Sequence, residues 1–123
     1  MNKVEVNIGA NTKEYWAFLH FEDRKGVVHE RRIERKHDGT INGNLIMAAA
    51  DAFRELKRPC MVDIYTKSEY IVEPFRNGWI NMWEKNEWRN SKDKLVRNAE
   101  QWKVLREEMA RHSVRFLYIA DRN

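Results

Sequence analysis

A single cysteine, Cys60, stands among the 123 residues, so an intramolecular disulfide is impossible. Its position beside Pro59, at the start of an apolar segment, predicts a buried structural thiol rather than a nucleophile. No apolar run approaches the ~20 residues that a membrane-spanning helix needs. The N-terminal MNKVEVNIGA also lacks the apolar core of a signal peptide. These absences predict a cytoplasmic protein with no membrane partner.

Proline and glycine are scarce as well, with two and five residues, and no linker rich in them divides the chain. There is no internal repeat or low-complexity tract, and the length suits one domain with a single core. The net charge of +4 is compatible with a polyanionic partner. Acidic and basic residues nevertheless alternate in RRIERKHD at 31–38, and a solvated face explains such a mixture equally well.

The hydrophobic pattern predicts three meandering strands, a helix, a strand, a helical stretch and a closing strand. Alternation at Val4, Val6 and Ile8 is typical of a half-buried first strand. The remaining elements are expected at 15–21, 27–35, 42–56, 61–66, 69–75, a helix with Trp79 and Trp83, a helix ending near 109, and 113–119. Because the fourth and fifth strands each follow a helix, both should run parallel to the first. An α/β fold with a five-stranded mixed sheet flanked by helices is therefore expected.

Several segments resemble bacterial ribonuclease HI in collinear order. TINGNLIMAA at 40–49 is similar to the family's T-x-N-R-M-E-L-M-A-A, and YTKSEYI at 65–71 to S-T-D-S-Q-Y-V. The stretch 78–102 is similar to the tryptophan-rich handle and the K-P-V-K-N-x-x-L-W that follows it. The resemblance implies an RNase H-like fold with strand order 3-2-1-4-5. It also implies one RNase H-like domain over 1–123, truncated after the fifth strand.

The family hydrolyses the RNA strand of an RNA–DNA hybrid with two Mg²⁺ ions held by carboxylates. The resemblance aligns three of those carboxylates with Gly9, Leu45 and Lys67, and the fourth would follow the last strand. None of the three residues can supply an anionic oxygen to a hard cation. Lys67 could instead pair with a phosphate, or simply reflect drift. From this alignment we expect no catalytic residue, metal site or cofactor, and an inactive pseudoenzyme rather than an enzyme.

The substrate-facing surface of the family is retained in part. Basic residues interleaved with tryptophan are typical of nucleic-acid grooves, although Trp79, Trp83 and Trp102 fit a core better than Trp88 does. Asn42 matches a family Asn that can contact the sugar-phosphate backbone, and Ser68 matches the position after a catalytic Asp. Each could equally be a helix cap or turn former. The candidate nucleic-acid-binding residues are therefore Asn42, Lys67, Ser68, Lys85, Trp88, Arg89, Lys92 and Lys94.

Two functions are favoured from the sequence, and residual nuclease activity is a third that the substituted carboxylate positions disfavour. The first is binding of a nucleic-acid duplex, such as an RNA–DNA hybrid, without cleavage. The second is a protein-interaction module, for example an inhibitor from a mobile element or phage that acts on a host nuclease or nucleic-acid machine. A continuous positive face would favour the first, and a large exposed apolar patch the second. No phosphate loop, dinucleotide fingerprint or zinc pattern is present, so we expect no small-molecule substrate.

Overall fold

The computed structural model describes residues 2–119. Three strands come first: β1 (Asn2–Ala10), β2 (Glu14–Glu22) and β3 (Val28–Lys36). Helix α1 (Ile41–Arg54) and strand β4 (Cys60–Thr66) follow, then α2 (Glu69–Arg76), α3 (Trp79–Lys85), α4 (Ala99–Met109) and β5 (Ser113–Tyr118). Each predicted element is therefore present, with bounds that differ by one or two residues. No helix in the described part of the chain is long and apolar enough to cross a membrane.

The strands form one sheet in the order β3-β2-β1-β4-β5, which confirms the expected topology. β1 pairs antiparallel with β2 and parallel with β4, and β5 is parallel to β4. The β2–β3 turn depends on Asp23, whose carboxylate accepts from the backbone N–H groups of Lys25 and Val27. Gly26 completes the turn at a φ of +81°, a conformation that costs glycine little.

The helices pack on one face of the sheet, as the alternation in β1 predicts. Val4, Val6 and Ile8 are buried, whereas Lys3, Glu5 and Asn7 between them are exposed on the other face. α1 contacts β1 and β2, and α4 packs against α1. Since successive side chains of a strand point to opposite faces, the polar set of β1 defines a second surface of the sheet. We call this surface the open face.

A buried asparagine fastens the start of α1 to the neighbouring loops. Asn44 is 1% exposed, and its amide donates to the backbone oxygens of Asn11 and His37, both at 2.9 Å. Its Oδ1 lies 2.8 Å from Nδ1 of His37. The N-cap of the helix is Thr40, whose hydroxyl accepts from the N–H of Gly43 at 2.9 Å. Together these bonds fix the first turn of α1, which borders the site described next.

The lone cysteine behaves as the sequence predicts. Cys60 is 5% exposed, and burial raises the pKa of its thiol. A protonated, shielded thiol is a poor nucleophile. The interpretation as a buried structural residue is confirmed.

Candidate nucleic-acid interface

A cleft of about 440 Å³ lies at the carboxyl ends of β1 and β4, between the open face and the start of α1. It brings together the three positions that the resemblance aligns with the family carboxylates. Its lining includes Gly9, Trp16, Phe18, Leu45, Tyr65 and Lys67. We refer to it as the sheet-end cleft. Residues far apart in the sequence meet here because the carboxyl ends of parallel strands share one edge of the sheet.

Gly9 leaves room for the indole of Trp16. The two residues are cross-strand partners, and a Cβ atom at position 9 would lie 2.5 Å from the Trp16 ring. Real atoms do not approach so closely, so a side chain at position 9 requires the ring to move. Gly9 therefore has a packing role of its own, which the sequence comparison alone did not reveal.

The donor set of the cleft does not fit a pair of magnesium ions. Gly9 has no side chain, Leu45 is buried and apolar, and Lys67 carries a positive charge. Within residues 2–119, no group of three or more His, Cys, Asp or Glu side chains is placed to hold a metal ion. Mg²⁺ prefers anionic oxygen ligands, and the side chains that line the cleft within the described part of the chain offer none.

A carboxylate on the same face is already engaged. Asp63 is 5% exposed and accepts two bonds from the guanidinium of Arg115, at 2.9 and 2.8 Å. The ammonium of Lys3 lies 3.6 Å away. The hydrogen bonds from Arg115 hold the pKa of Asp63 below its usual range, despite the opposing effect of desolvation. Asp63 is therefore an ion-pair centre of the open face.

Lys67 and Ser68 connect β4 to α2 beside the cleft, which both residues line. Lys67 is exposed, and Ser68 is the N-cap of α2, with its hydroxyl accepting from the N–H of Tyr70 at 3.3 Å. Asn42 is half-buried and lies within the first turn of α1, where Thr40 is the cap. Of the two suggested caps, Ser68 serves as one and Asn42 does not.

The remaining basic candidates lie on one loop. Lys85 ends α3, and Arg89, Lys92 and Lys94 follow it, all of them exposed. The loop is held by Asn90, whose side chain accepts from the N–H groups of Lys92 and Lys94 at 2.9 and 3.1 Å. We call residues 85–94 the basic loop. The basic loop contains four cationic side chains and two carboxylates, those of Glu87 and Asp93.

Trp88 does not belong to this surface. Its side chain is 7% exposed, so the prediction that its ring is available for stacking on bases is wrong. The backbone turns inward there at a φ of +63°, with the Trp88 N–H donating to the oxygen of Trp83 at 2.6 Å. Trp79, which the sequence suggested for the core, is 39% exposed, and Trp83 is half-buried. Trp102 is buried, as expected.

Comparison with known proteins decides the family. The model of the RNase H family matches residues 7–121 of this chain. The chain belongs to the RNase H family. Ribonuclease H of Chlorobium luteolum is 39% identical over 87 residues, which are 70% of this chain and 60% of that protein. Ribonuclease H of Legionella pneumophila strain Corby is 42% identical over 80 residues, 65% of this chain and 55% of that protein. The chain thus spans a little over half the length of these curated relatives.

Solved structures of the RNase H family share the fold. LC9-RNase H1, described as a type 1 RNase H with the type 2 active-site motif, superposes with a TM-score of 0.83 at 16% identity. That match covers 98% of this chain and 64% of the other. LC11-RNase H1, solved in complex with an RNA/DNA hybrid, gives a TM-score of 0.60 at 17% identity and covers 98% and 86% of the two chains.

The family comparison corrects one expectation from the sequence. The prediction that the chain is not an enzyme is contradicted, because relatives 37–42% identical to it are named Ribonuclease H. The same relatives support membership of the family, which the resemblance predicted.

Proposed function

We propose that this RNase H-family domain binds an RNA–DNA hybrid duplex, with the basic loop contacting its phosphates. The observation that carries the proposal is the loop itself, where four exposed cations are held on a segment fixed by Asn90. LC11-RNase H1, which shares the fold, was solved with an RNA/DNA hybrid, and so was a foamy viral protease-reverse transcriptase with a TM-score of 0.69 at 18% identity.

Phosphate contacts give such binding a marked dependence on salt. Each cation that neutralises a phosphate releases a counterion, so affinity falls with salt at a slope of about 0.9 per contact. The backbone N–H groups of Lys92 and Lys94 donate to the side-chain oxygen of Asn90. These bonds fix the main chain from which the two lysine side chains project. These two residues are expected to contribute about two contacts to the slope.

The experiment measures fluorescence anisotropy of a labelled hybrid at several salt concentrations. The double variant Lys92→Gln/Lys94→Gln should bind more weakly at low salt and show a slope smaller by about 2. The matched control is Lys25→Gln/Lys57→Gln, which removes the same charge from exposed positions in the β2–β3 turn and after α1. Equal losses in the two double variants would indicate a general charge effect and contradict a role for the loop.

The same reactions, run with and without Mg²⁺, are resolved on a denaturing gel. This second readout follows from the relatives, which are named Ribonuclease H. The gel shows whether the hybrid stays intact or is cleaved. If the intact hybrid, without Mg²⁺, does not bind at low salt, the proposal is contradicted.

A further inference from the structure

The two edges of the sheet differ in charge. Within residues 2–119, β3 forms one edge, and six of its nine residues are charged: Glu30, Arg31, Arg32, Glu34, Arg35 and Lys36. Charged side chains on an edge strand discourage pairing with a strand of another molecule. β5 forms the other edge, and one of its six residues is charged, namely Arg115. β5 therefore lacks the protection that β3 has.

The charge of Arg115 is matched within the same chain. Its guanidinium donates to both carboxylate oxygens of Asp63 on the neighbouring strand, at 2.9 and 2.8 Å. The rest of β5 consists of one serine and four apolar or aromatic residues, Val114, Phe116, Leu117 and Tyr118. β-Branched and aromatic side chains favour pairing between strands. The composition of β5 thus permits a further strand to join the sheet at this edge.

The hydrogen bonds to β4 determine which backbone groups of β5 point outwards. The N–H of Ile119 donates to the oxygen of Thr66 at 2.8 Å, so residue 119 faces β4. Successive residues of a strand direct their N–H and C=O groups to alternate sides. The backbone groups of Val114, Phe116 and Tyr118 therefore point away from β4. They form a row of three donors and three acceptors along the edge.

This row is complementary to a second copy of itself. In an antiparallel pair of β5 strands, a two-fold axis at Phe116 sets Phe116 opposite Phe116 of the second copy and Val114 opposite Tyr118. Each of the three outward N–H groups on each strand then meets a C=O group, which gives six backbone hydrogen bonds. The same register forms aromatic pairs and pairs of an aromatic with a β-branched residue, both of which are favourable.

The neighbouring registers are less favourable. An axis at Arg115 would place the two Arg115 side chains directly opposite each other, where like charges repel. An axis at Leu117 would pair Phe116 with Tyr118 and leave Val114 without a partner inside residues 113–119. The axis at Phe116 is therefore the register that uses the whole row.

We propose that two copies of this chain associate through β5 and join their sheets into one antiparallel-linked sheet of ten strands. A single strand from each copy offers less area than the ~1,200 Å² at the lower end of stable interfaces, so the dimer is expected to be weak and reversible. The proposal depends on the sheet edge alone and is independent of duplex binding by the basic loop.

Sedimentation equilibrium of the full chain, from about 10 μM to about 1 mM, measures the association. The mean mass should rise with concentration from that of the monomer towards that of the dimer. Tyr118→Pro should raise the dissociation constant by about ten-fold or more, because one outward N–H is lost from each copy. Tyr118 is 43% exposed, and proline is tolerated on an edge strand where the N–H faces solvent.

The matched control is Val28→Pro, on the charged edge. The C=O of Val27 accepts from the N–H of Asp23 at 2.9 Å, so the N–H of Val28, on the other side of the same trans peptide, points away from β2. Val28 is 52% exposed. This variant should dimerise as the parent protein does. Circular dichroism of both variants verifies that the domain is folded.

Amide hydrogen exchange of the parent protein, followed by NMR, tests the register without any substitution. The N–H groups of Val114, Phe116 and Tyr118 should exchange more slowly as the protein concentration rises, whereas those of Arg115 and Leu117, which face β4, should not change. A monomeric mass up to about 1 mM would overturn the proposal. A dimer with unchanged exchange at the three outward amides would also overturn it, and so would equal dissociation constants for the two folded proline variants.

Discussion

Replacement of Asn44 by leucine should destabilise the domain strongly, although the two side chains have similar volumes. The amide of Asn44 donates to the backbone oxygens of Asn11 and His37, each at 2.9 Å, and the residue is 1% exposed. Leucine leaves both carbonyl groups without that donor in a place that water reaches poorly. An unsatisfied buried polar group costs about 1–3 kcal/mol, so the two together should cost about 2–6 kcal/mol.

That loss is a large part of the total stability of a small domain, which is about 5–15 kcal/mol. Urea denaturation followed by circular dichroism measures it as a shift of the midpoint at constant slope. The control is Asn86→Leu, at the exposed position that follows α3, for which a change within about 0.5 kcal/mol is expected. A loss below about 1 kcal/mol for Asn44→Leu would refute the reasoning that these two bonds hold the start of α1.

Three further predictions concern single side chains. Since hydrogen bonding lowers the pKa of Asp63 in the folded state, its contribution to stability is present at neutral pH and lost as the pH falls through that lowered pKa. Asp63→Asn should therefore lower the urea midpoint at pH 7 but not in strong acid. Trp88→Ala should cost about 3–5 kcal/mol and Trp79→Ala much less, in thermal unfolding, because only the first ring is buried. Gly9→Ala should cost about 1–3 kcal/mol and change the tryptophan fluorescence, since the added methyl displaces the Trp16 ring; an unchanged emission spectrum would count against this contact.

The order of the strands could be predicted because local signals and family resemblance agreed along most of the chain. Alternation in β1, the turn at Asp23 and the small apolar face of α1 each specify one element. The same alternation places Trp16 and Phe18 on the strand face opposite Tyr15 and Ala17. Their position near Tyr65 and Gly9 became visible only from the register of the strands.

The tryptophans of the 79–88 segment were harder to place from sequence. A pattern of spaced tryptophans does not reveal where the chain reverses, and Trp88 lies at such a point, with a positive φ and two backbone hydrogen bonds. Asn44 was missed for a related reason, because its partners, Asn11 and His37, lie outside its helix. The burial of Trp88 and the hydrogen bonds of Asn44 both depend on tertiary contacts. Neither local propensity nor residue spacing reveals which residues make those contacts.

The sheet-end cleft is assembled from segments that are distant in sequence, around residues 7–18, 41–45 and 65–68, together with Ile119. No part of it exists in the unfolded chain. A ligand that binds there therefore binds only the native state, and mass action raises the free energy of unfolding by RT ln(1 + [L]/Kd). At a hundred-fold excess over Kd the gain is about 2.7 kcal/mol. The melting temperature of the whole domain thus reports occupancy of the cleft, and a thermal scan against candidate ligands can rank them without any label.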